Sequence, residues 1–486
     1  MYYKSPSDSL RIPFNIKLAT ENFDSSKNTM CILKGLMGGG KTYLTATEFL
    51  PTLFKYVGID FAVYSVHMHE IMDSELFEME MTKIGVLATD NIPKAIRLSK
   101  KGKKVLLLTT HQSFAVSDKG ESLVKYLKTS GKKFSIWIDE AHTWLVSGKG
   151  NYKAVMGSEN KEYRAAMFTL LEELSDYSAY IFGITATPNR EHTGEVKSYG
   201  KLKFEIINEL PSKETMIGKS AWYRNIETFD IKDENEIINS IRNFLIRMRE
   251  DEIVTGTKKT LAVQCGRVNH SEGWDIQNVI ELFSRIVRDE GLWNFDDQIF
   301  VKMCGDERKI FSPSGKKNTG KISGKGLDAD TEIKERLNDF TDPSRILFIV
   351  DKGKSGMNIF NLGGLISFRS YDKKNDKLEA VIESAIQILG RSVRLNVGRD
   401  IEDFKKDYGY ELELYVKRVN DLTLEMLMRT NCFDILVPDI AMWGEALSEF
   451  KEHYASSAEN AREWINSIRG VCEHCGASSE HQTKCK

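Results

Sequence analysis

The sequence predicts two α/β domains, each built around a doubly wound parallel sheet, followed by a helical C-terminal region. Three observations carry this prediction. Short apolar runs rich in β-branched and aromatic residues alternate with amphipathic, helix-like stretches, as they do in βαβ units. The alternation occurs twice, before and after a polar stretch near residues 211–235. The chain has 486 residues, which is too long for one ordinary hydrophobic core.

The first series of elements runs from residue 29 to residue 188. Five apolar runs are predicted to be its strands: TMCILKG, DFAVYSV, KVLLLTT, FSIWIDE and AYIFGIT. Helices are predicted between them, including the run that begins YLTATEF and the amphipathic segment KEYRAAMFTLLEEL. Because strands and helices alternate, this order favours a parallel sheet with helices on both faces.

The second series follows the polar stretch. Strands are predicted at TLAVQCG, DQIFVKMC, RILFIVD and GGLISFRS, and helices at WDIQNVIELFSRIVRDE, DADTEIKERLNDF and AVIESAIQILGRSVR. From about residue 411 to about residue 469 the pattern becomes helical, and the tail that follows is polar. We therefore predict a first domain over residues 1–205, a second over 206–410, a helical C-terminal region over 411–470 and a short tail over 471–486.

Charge and hydropathy narrow the classes of function. Lys plus Arg number 68 against 70 for Asp plus Glu, a formal net charge of −2, so a nucleic-acid partner would have to be held by local basic patches. The N-terminus is polar and is interrupted by Pro6 and Pro13. No apolar run approaches the roughly 20 residues of a membrane span. We therefore expect a soluble, cytoplasmic protein with no membrane partner.

The stretch GLMGGGKT, residues 35–42, has the spacing of a phosphate-binding loop and lies between a predicted strand and a predicted helix. In such a loop, backbone N–H groups surround phosphate oxygens and the helix N-terminus adds the positive end of its dipole. Lys41 would reach the β and γ phosphates of ATP, and the Thr42 hydroxyl would bind Mg²⁺. The alternative is a glycine-rich turn that binds nothing. The glycines of the loop are Gly35, Gly38, Gly39 and Gly40.

The stretch SIWIDEAH supplies an acidic pair at the end of a predicted buried strand. Asp139 could hold the metal through water, and Glu140 could activate the attacking water as a general base. Acidic pairs are common on protein surfaces, which is the alternative. The apolar strand that precedes this pair favours the functional interpretation.

Together with GITATPNR, residues 183–190, these motifs resemble those of superfamily 2 helicases and translocases of the Asp-Glu-Ala-His type. The Thr-Ala-Thr-Pro form is similar to that of the motor subunits of type III restriction enzymes and related DNA translocases. The resemblance covers about residues 29–400 and implies two tandem RecA-like domains. It also implies that Thr185 and Thr187 couple the ATP site to nucleic acid, with His142 as a relay. Apart from the resemblance, a strand that ends in hydroxyl residues beside Asp139 could respond to the state of the bound phosphate by hydrogen bonding.

The stretch QILGRSVR places Gln387, Arg391 and Arg394 on one face of a predicted helix, where they could bind an anion or form a solvated basic edge. The stretch resembles the sixth motif of the same superfamily. This implies that Arg391 and Arg394 are arginine fingers for the γ-phosphate and that Gln387 orients water or a phosphate oxygen. Because the fingers would belong to the second domain, hydrolysis would be tied to domain closure.

Two further stretches extend the resemblance. ILFIVDKGKSGMNIFNLGGLI is similar to the fifth motif of the superfamily, and its Gly356 matches the motif glycine near the nucleotide. LLLTTHQSF resembles a segment that contacts the nucleic-acid backbone, which implies such a role for Thr109, Thr110 and Gln112. The alternative for these three residues is a turn at the end of a strand.

The tail CEHCGASSEHQTKC contains three cysteines and two histidines, of which three thiolates and one imidazole could close a tetrahedral Zn²⁺ site, with His474 as a competing ligand. The short span resembles a zinc knuckle, which is a nucleic-acid module. The alternative is a disordered tail with reduced cysteines. The candidate zinc ligands are Cys472, Cys475, His481 and Cys485.

The sequence therefore predicts an enzyme that uses ATP and Mg²⁺ as a nucleic-acid helicase or translocase and couples hydrolysis to stepping along a strand. The Thr-Ala-Thr-Pro form favours DNA over RNA. Two alternatives stay open. One is the motor subunit of a restriction or defence complex, with a partner nuclease or another protein subunit. The other is a protein whose affinity for nucleic acid is switched by ATP, without unwinding activity.

Overall fold

The chain divides into two compact units, Met1–Pro211 and Ser212–Lys486. The boundary predicted from the sequence lies six residues earlier, at 205/206. The computed structural model describes part of each unit. The described residues are 14, 29–34, 41–66, 74–141, 152–156, 161–178, 180–185, 202–207, 221–266, 274–304, 307–315, 327–350, 359, 362–370, 382, 385–386, 388–390 and 420–469.

The first unit is organised around a seven-stranded sheet in which every described pairing is parallel. The described strands of the unit are β1 (Thr29–Lys34), β2 (Phe61–Val66), β3 (Leu87–Thr89), β4 (Val105–Thr110), β5 (Phe134–Asp139), β6 (Tyr152–Met156), β7 (Lys161–Ala165), β8 (Tyr180–Thr185) and β9 (Lys203–Ile207). Two of them, β6 and β7, form a separate antiparallel sheet. The order across the large sheet is β3-β4-β2-β5-β8-β1-β9. All five predicted strands are confirmed, and β3 and β9 extend the sheet at its two edges.

Helices cover both faces of this sheet. The helices of the unit are α1 (residues 41–57), α2 (Ser74–Thr82), α3 (Ile92–Lys100), α4 (His111–Ala115), α5 (Asp118–Thr129) and α6 (Ala166–Ser175). Adjacent strand residues enter different cores, since Ile32 and Ile136 belong to one apolar cluster while Leu33 and Trp137 belong to the other. A strand buried on both sides reads as a continuous apolar run, which is the pattern that predicted it. The predicted doubly wound arrangement of the first domain is therefore confirmed.

One predicted helix of the first unit begins later than its sequence pattern indicated. The segment KEYRAAMFTLLEEL was expected to be helical throughout, but Lys161–Ala165 forms β7, which pairs with β6. The helix α6 starts at Ala166. Amphipathic spacing over one or two turns does not separate a short strand from the first turn of a helix, and here the pairing with β6 decides.

Helix α1 follows the glycine-rich stretch and is irregular. It consists of two α-helical pieces, Lys41–Leu44 and Leu50–Thr52, each followed by a π-helical turn, Thr45–Phe49 and Leu53–Val57. Pro51 lies between the two π-helical turns and has no N–H to donate to the helical ladder. The helix ends at Gly58, whose φ of 72° is left-handed.

The second unit contains an eight-stranded sheet that is parallel except for its antiparallel β12–β13 edge. The strands are β10 (Trp222–Phe229), β11 (Thr260–Gln264), β12 (Phe300–Cys304), β13 (Glu307–Phe311), β14 (Ile346–Ile349), β15 (Leu362–Ser367), β16 (Cys432–Pro438) and β17 (Ser456–Ser457). Their order is β13-β12-β14-β11-β15-β16-β10-β17. The four strands that the sequence predicted for this domain are confirmed as β11, β12, β14 and β15.

The described helices of the second unit also lie on different faces of its sheet. They are α7 (Glu234–Thr255), α8 (Ile276–Glu290), α9 (Leu327–Asn338), α10 (Asp421–Asn431), α11 (Ala441–His453) and α12 (Ala458–Ile468). Residues of α7 and α8 share one apolar cluster with Val263, while residues of α9 share another with Val301 and Leu347. Two parallel-sheet α/β domains, as predicted, therefore make up the described fold.

The predicted helical C-terminal region, 411–470, is wrong over Cys432–Pro438. This segment is the strand β16, and it lies inside the sheet between β15 and β10. Every residue of β16 is buried, and its Asp434 accepts hydrogen bonds from Arg224 Nε at 3.1 Å and Arg224 Nη2 at 2.6 Å. Lys259, also buried, donates to the Cys432 carbonyl at 2.9 Å and to Asp251 Oδ2 at 2.8 Å. The C-terminal segment is thus part of the second sheet and is not an appended helical extension.

Among the described residues, no helix combines the length and the apolar character needed to cross a membrane.

Candidate nucleotide-binding site

Three strands of the first sheet end beside one another at the positions that the sequence selected. Strand β8 lies between β1 and β5, with Lys34 of β1 paired to Thr185 of β8 and Asp139 of β5 paired to Ile184. Because the strands are parallel, their carboxyl ends share one edge of the sheet. Ligands of open parallel α/β sheets bind at this edge. The strand end before the glycine-rich stretch and the strand end at Asp139 therefore face the same region.

Close approach of β8 to its neighbours depends on Gly183. A Cβ at this position would lie 2.6 Å from Ile32 Cδ1 and 2.9 Å from the Ala141 side chain. A side chain there would have to displace the side chains of Ile32 and Met30 on β1 and crowd the Cβ of Ala141. The glycine of GITATPNR thus allows the end of β8 to pack between the two functional strand ends.

Lys41 and Thr42 are the first two residues of α1, and both are half-buried. Thr45 Oγ1 donates a hydrogen bond to the Lys41 carbonyl at 2.9 Å, which fixes the first turn. The Thr42 side chain lies near the Tyr64 hydroxyl of β2 and acts to lower the pKa of Tyr64, and the positive charge of Lys41 acts to lower the pKa of Asp139. The glycines of the predicted loop, Gly35 and Gly38 to Gly40, lie outside the described residues.

Asp139 is a buried carboxylate with two protein donors. It is 6% exposed; Tyr64 donates its hydroxyl to Oδ2 at 2.7 Å, and the Glu140 N–H donates to Oδ1 at 3.0 Å. Burial and the negative charge of Glu140 raise the pKa of Asp139 to about 6, against the Tyr64 hydrogen bond and the positive charge of Lys41. Burial and the Asp139 charge likewise hold the pKa of Tyr64 well above its usual value, so Tyr64 remains a donor. A cation bound here would relieve the unfavourable charge of Asp139.

The donor set at this edge suits Mg²⁺. The Asp139 carboxylate and the Thr42 hydroxyl are hard oxygen ligands, and Mg²⁺ on phosphates is commonly held by one or two protein oxygens, with water completing the shell. Among the described residues, no group of three or more His, Cys, Asp or Glu side chains is placed to hold a metal ion.

Glu140 has an unusual backbone. Its φ is 49°, and it is the single non-glycine residue with positive φ in the described part of the chain. For an L-residue this left-handed conformation costs about 1–2 kcal/mol. Backbone strain of this kind concentrates at functional sites, where the surroundings enforce it. Here it turns the chain sharply after β5.

A second buried polar group reaches the same turn and was not found from the sequence. His111 is fully buried, and its ring lies 2.7 Å from Ser65 Oγ through Nδ1 and 2.9 Å from the Asp139 carbonyl oxygen through Nε2. Like His111, Tyr64 and Ser65 were not found from the sequence. The available signal was a pair of polar residues at the end of the apolar strand DFAVYSV.

The residues expected to contact nucleic acid have different environments. Thr109 is 3% exposed in β4, and Thr110 caps α4 by accepting a hydrogen bond from the Ser113 N–H at 3.1 Å. Gln112 is exposed. The first two fit the alternative of a strand-end turn, while Gln112 is free to reach solvent.

Other expected site residues lie outside the described residues. They are His142, Thr187, Gly356, Gln387, Arg391, Arg394, Cys472, Cys475, His481 and Cys485. Just before Arg391, residues 385–386 and 388–389 are helical and buried, and the Gly390 N–H donates to the Ile386 carbonyl at 2.8 Å. Thr185, in contrast, is described, and it is fully buried at the end of β8.

Comparison with known proteins gives only distant likenesses. No protein-family model matches the chain, and no curated protein does. The chain is similar to the crystal structure of the E. coli DExH-box NTPase HrpB, at 9% identity and a TM-score of 0.41, covering 92% of this chain and 42% of that chain. It is also similar to Mss116p bound to ssRNA and AMP-PNP, at 12% identity and a TM-score of 0.42, covering 96% of this chain and 82% of that one.

A third likeness is to the DUF1998 helicase MrfA bound to DNA and AMPPNP, at 12% identity and a TM-score of 0.48, covering 98% of this chain and 57% of that one. The chain thus spans less than half of the HrpB structure.

Proposed function

We propose that the chain is an ATP-dependent nucleic-acid motor of the superfamily 2 kind, with two RecA-like domains that hydrolyse ATP between them. The observation that supports this most directly is the meeting of Lys41, Thr42 and Asp139 at the carboxyl edge of the first sheet. Lys41 and Thr42 are consecutive and Asp139 lies almost one hundred positions later, yet all three come to this edge with the chemistry of a metal–phosphate site. The same edge carries Glu140, a carboxylate suited to act on water.

Each of these residues has a distinct task in hydrolysis. The Lys41 ammonium neutralises the terminal phosphates, and the Thr42 and Asp139 oxygens would hold Mg²⁺, which supplies Lewis-acid stabilisation of the phosphate charge. Glu140 accepts a proton from the attacking water. Tyr64 keeps Oδ2 of Asp139 oriented by its 2.7 Å hydrogen bond.

Coupling to the second domain needs residues on both sides of the nucleotide. Thr185, at the end of β8 between the two functional strands, is suited to sense the phosphates. We propose that Arg391 and Arg394 complete the charge stabilisation, with Gln387 orienting water and Gly356 approaching the nucleotide. Such fingers contribute about 10³- to 10⁵-fold in rate.

The decisive experiment measures ATP turnover by the full chain with and without nucleic acid. Lys41→Ala should lower turnover by at least about 100-fold, as expected for loss of a charge preorganised at the reacting group. Lys55→Ala is the matched control, because Lys55 is an exposed lysine of the same helix. Undiminished turnover in Lys41→Ala would remove the basis of the proposal.

The nucleic-acid partner is identified by measuring ATP turnover in the presence of single-stranded DNA, duplex DNA, forked DNA or RNA. Strand displacement is recorded in parallel. We expect DNA to stimulate turnover more than RNA does. Stimulation without displacement identifies a translocase, whereas the absence of stimulation by every substrate contradicts a motor. Binding of nucleic acid that changes with ATP while turnover stays unstimulated identifies the switched binding protein instead.

The arginine assignments are tested separately by Arg391→Ala and Arg394→Ala. A finger residue contributes mainly in the transition state, so turnover should fall while ATP binding persists. Loss of ATP binding in both variants contradicts the assignment.

A further inference from the structure

His111 joins three elements of the first sheet through buried polar contacts. It is the first residue of α4, directly after β4, and it contacts Ser65 of β2 and Asp139 of β5. His111 and Ser65 are both 0% exposed. A buried imidazole held at both nitrogens has a fixed orientation, and here one of its contacts is with the backbone of the proposed catalytic turn.

The contacts define the tautomer of the ring. The Asp139 carbonyl oxygen has no proton, so Nε2 must carry the hydrogen and donate it over 2.9 Å. In the neutral imidazole the other nitrogen is then an acceptor, and it receives the Ser65 hydroxyl hydrogen over 2.7 Å. Ser65 thereby holds the imidazole ring in the orientation from which His111 donates to β5.

The carbonyl that His111 holds belongs to the peptide linking Asp139 to Glu140. Because a peptide is planar, its C=O and N–H move together. His111 holds the oxygen side of this peptide, and Asp139 Oδ1 accepts from the nitrogen side at 3.0 Å. The peptide plane is therefore held at both ends, immediately before the left-handed φ of 49° at Glu140. Release of either end would let Glu140 relax towards ordinary backbone angles.

We propose that His111, oriented by Ser65, is a positioning residue that holds the Asp139–Glu140 peptide so that the Glu140 carboxylate stays aimed at the attacking water. This inference rests on the proposed ATPase function. It assigns to His111 an effect on the hydrolytic step, with no effect on the binding of ATP. His111 acts through the peptide and does not touch the substrate.

The test compares four variants of the full chain. His111→Leu removes the donor, Ser65→Ala removes the group that orients the imidazole ring, and His111→Gln retains a side-chain N–H that can reach the same carbonyl. Ser99→Ala is the matched control, since Ser99 is also a fully buried serine of the first unit and accepts the Tyr126 hydroxyl at 2.8 Å, away from β5. The measured quantities are kcat and KM for ATP, and the Kd of a fluorescent ATP analogue.

We expect kcat to fall by about 10- to 100-fold in His111→Leu, the range seen when residues that orient reacting groups are removed. Ser65→Ala should show a smaller fall and His111→Gln a partial recovery, with KM and the analogue Kd within about twofold of wild type. Because Ser65→Ala only removes one oxygen, it carries the test if His111→Leu does not fold. A wild-type kcat in Ser65→Ala, or equal losses of kcat and nucleotide binding in either variant, overturns the proposal.

Failure of this inference is distinguishable from failure of the proposed function. A wild-type chain with no ATP turnover, or one whose turnover survives Lys41→Ala, contradicts the function itself. Turnover that is lost in Lys41→Ala but unchanged in Ser65→Ala and His111→Leu contradicts only the role of His111.

Discussion

Replacing Asp139 with asparagine should stabilise the first unit while it stops hydrolysis. Burial and the charge of Glu140 raise the pKa of this carboxyl from 3.8 to about 6, so the folded unit carries a negative charge that is poorly solvated. Asparagine has nearly the same shape without the charge. The loss of a ligand oxygen and its charge should abolish the Mg²⁺-dependent reaction.

The size of the stabilisation by Asp139→Asn follows from the pKa shift of Asp139. Roughly two pKa units at about 1.4 kcal/mol per unit correspond to about 3 kcal/mol of destabilisation at pH 7.5. Asparagine has one carbonyl oxygen, so it can accept from Tyr64 or from the Glu140 N–H but not from both. That lost hydrogen bond costs about 1 kcal/mol. The expected net gain in the free energy of unfolding is about 2 kcal/mol.

The gain should depend on pH, because the folded pKa lies above the unfolded value. Folding favours the protonated carboxyl, so the wild-type contribution is fully present below pH 3.8 and is lost as the pH rises through 6. The asparagine does not titrate. At pH 5 the wild-type carboxyl is mostly protonated in the folded state and mostly ionised in the unfolded state. The gain in the free energy of unfolding from Asp139→Asn should therefore shrink to about 0.5 kcal/mol.

Hydrogen exchange of β5 peptides in the full chain measures this free energy for the first unit alone. The buffer should lack Mg²⁺ and nucleotide, because a bound cation favours the carboxylate. Asp60→Asn is the control, since Asp60 precedes β2 at the opposite edge of the sheet, where its carboxylate accepts from the Lys133 N–H. If Asp139→Asn shows no gain at pH 7.5, or the same gain at pH 5 and pH 7.5, the assignment of a buried, destabilising charge is refuted.

Three further predictions concern the second unit and the tail. Asp434→Ala removes one of the two carboxylates that pair with the Arg224 guanidinium and leaves Asp251 as the other, so it should destabilise the second unit by about 1.5–3 kcal/mol in a urea titration followed on β16 peptides. The exposed Asp421→Ala should change it by less than about 0.5 kcal/mol, and equal effects of the two variants would show that the β16 contact is not structural. Burial lowers the pKa of Lys258 to about 8, so the folded state favours its neutral form; wild-type stability should therefore rise by about 2 kcal/mol relative to Lys258→Met between pH 7 and pH 10, and a flat difference contradicts this. Metal analysis of the purified chain should find one zinc per chain, reduced in a Cys472→Ser, Cys475→Ser double variant; a metal-free wild type leaves the tail as reduced cysteines.

Strand prediction succeeded where a segment is buried on both faces. The runs TMCILK and FSIWID each have apolar residues at four of six positions, including consecutive ones, because each face of the sheet meets its own core. The segment CFDILVP has the same character, yet it follows a helical pattern and precedes another. A short apolar run cannot be assigned by periodicity alone, and this one is a strand because β15 and β10 offer hydrogen bonds on both sides.

The strand β10 was missed for a different reason. WYRNIETF has no regular alternation of polar and apolar residues and lies within a polar stretch, and its residues 223–227 are only half-buried. Its partner β16 lies about two hundred residues later in the chain, and its Arg224 is paired with Asp434 across that separation. Local sequence holds no information about such a partner.

What the sequence by itself determined is the chemistry that depends on local spacing. The glycine-rich stretch, Lys41 and Thr42 are consecutive, as are Asp139 and Glu140, so one short motif each was enough to select them. Tertiary structure alone decided which other groups surround them. Tyr64, Ser65 and His111 come from two other strand ends. Tyr64 and His111 contact Asp139 directly and Ser65 contacts His111, because parallel strands bring distant carboxyl ends to one edge of the sheet.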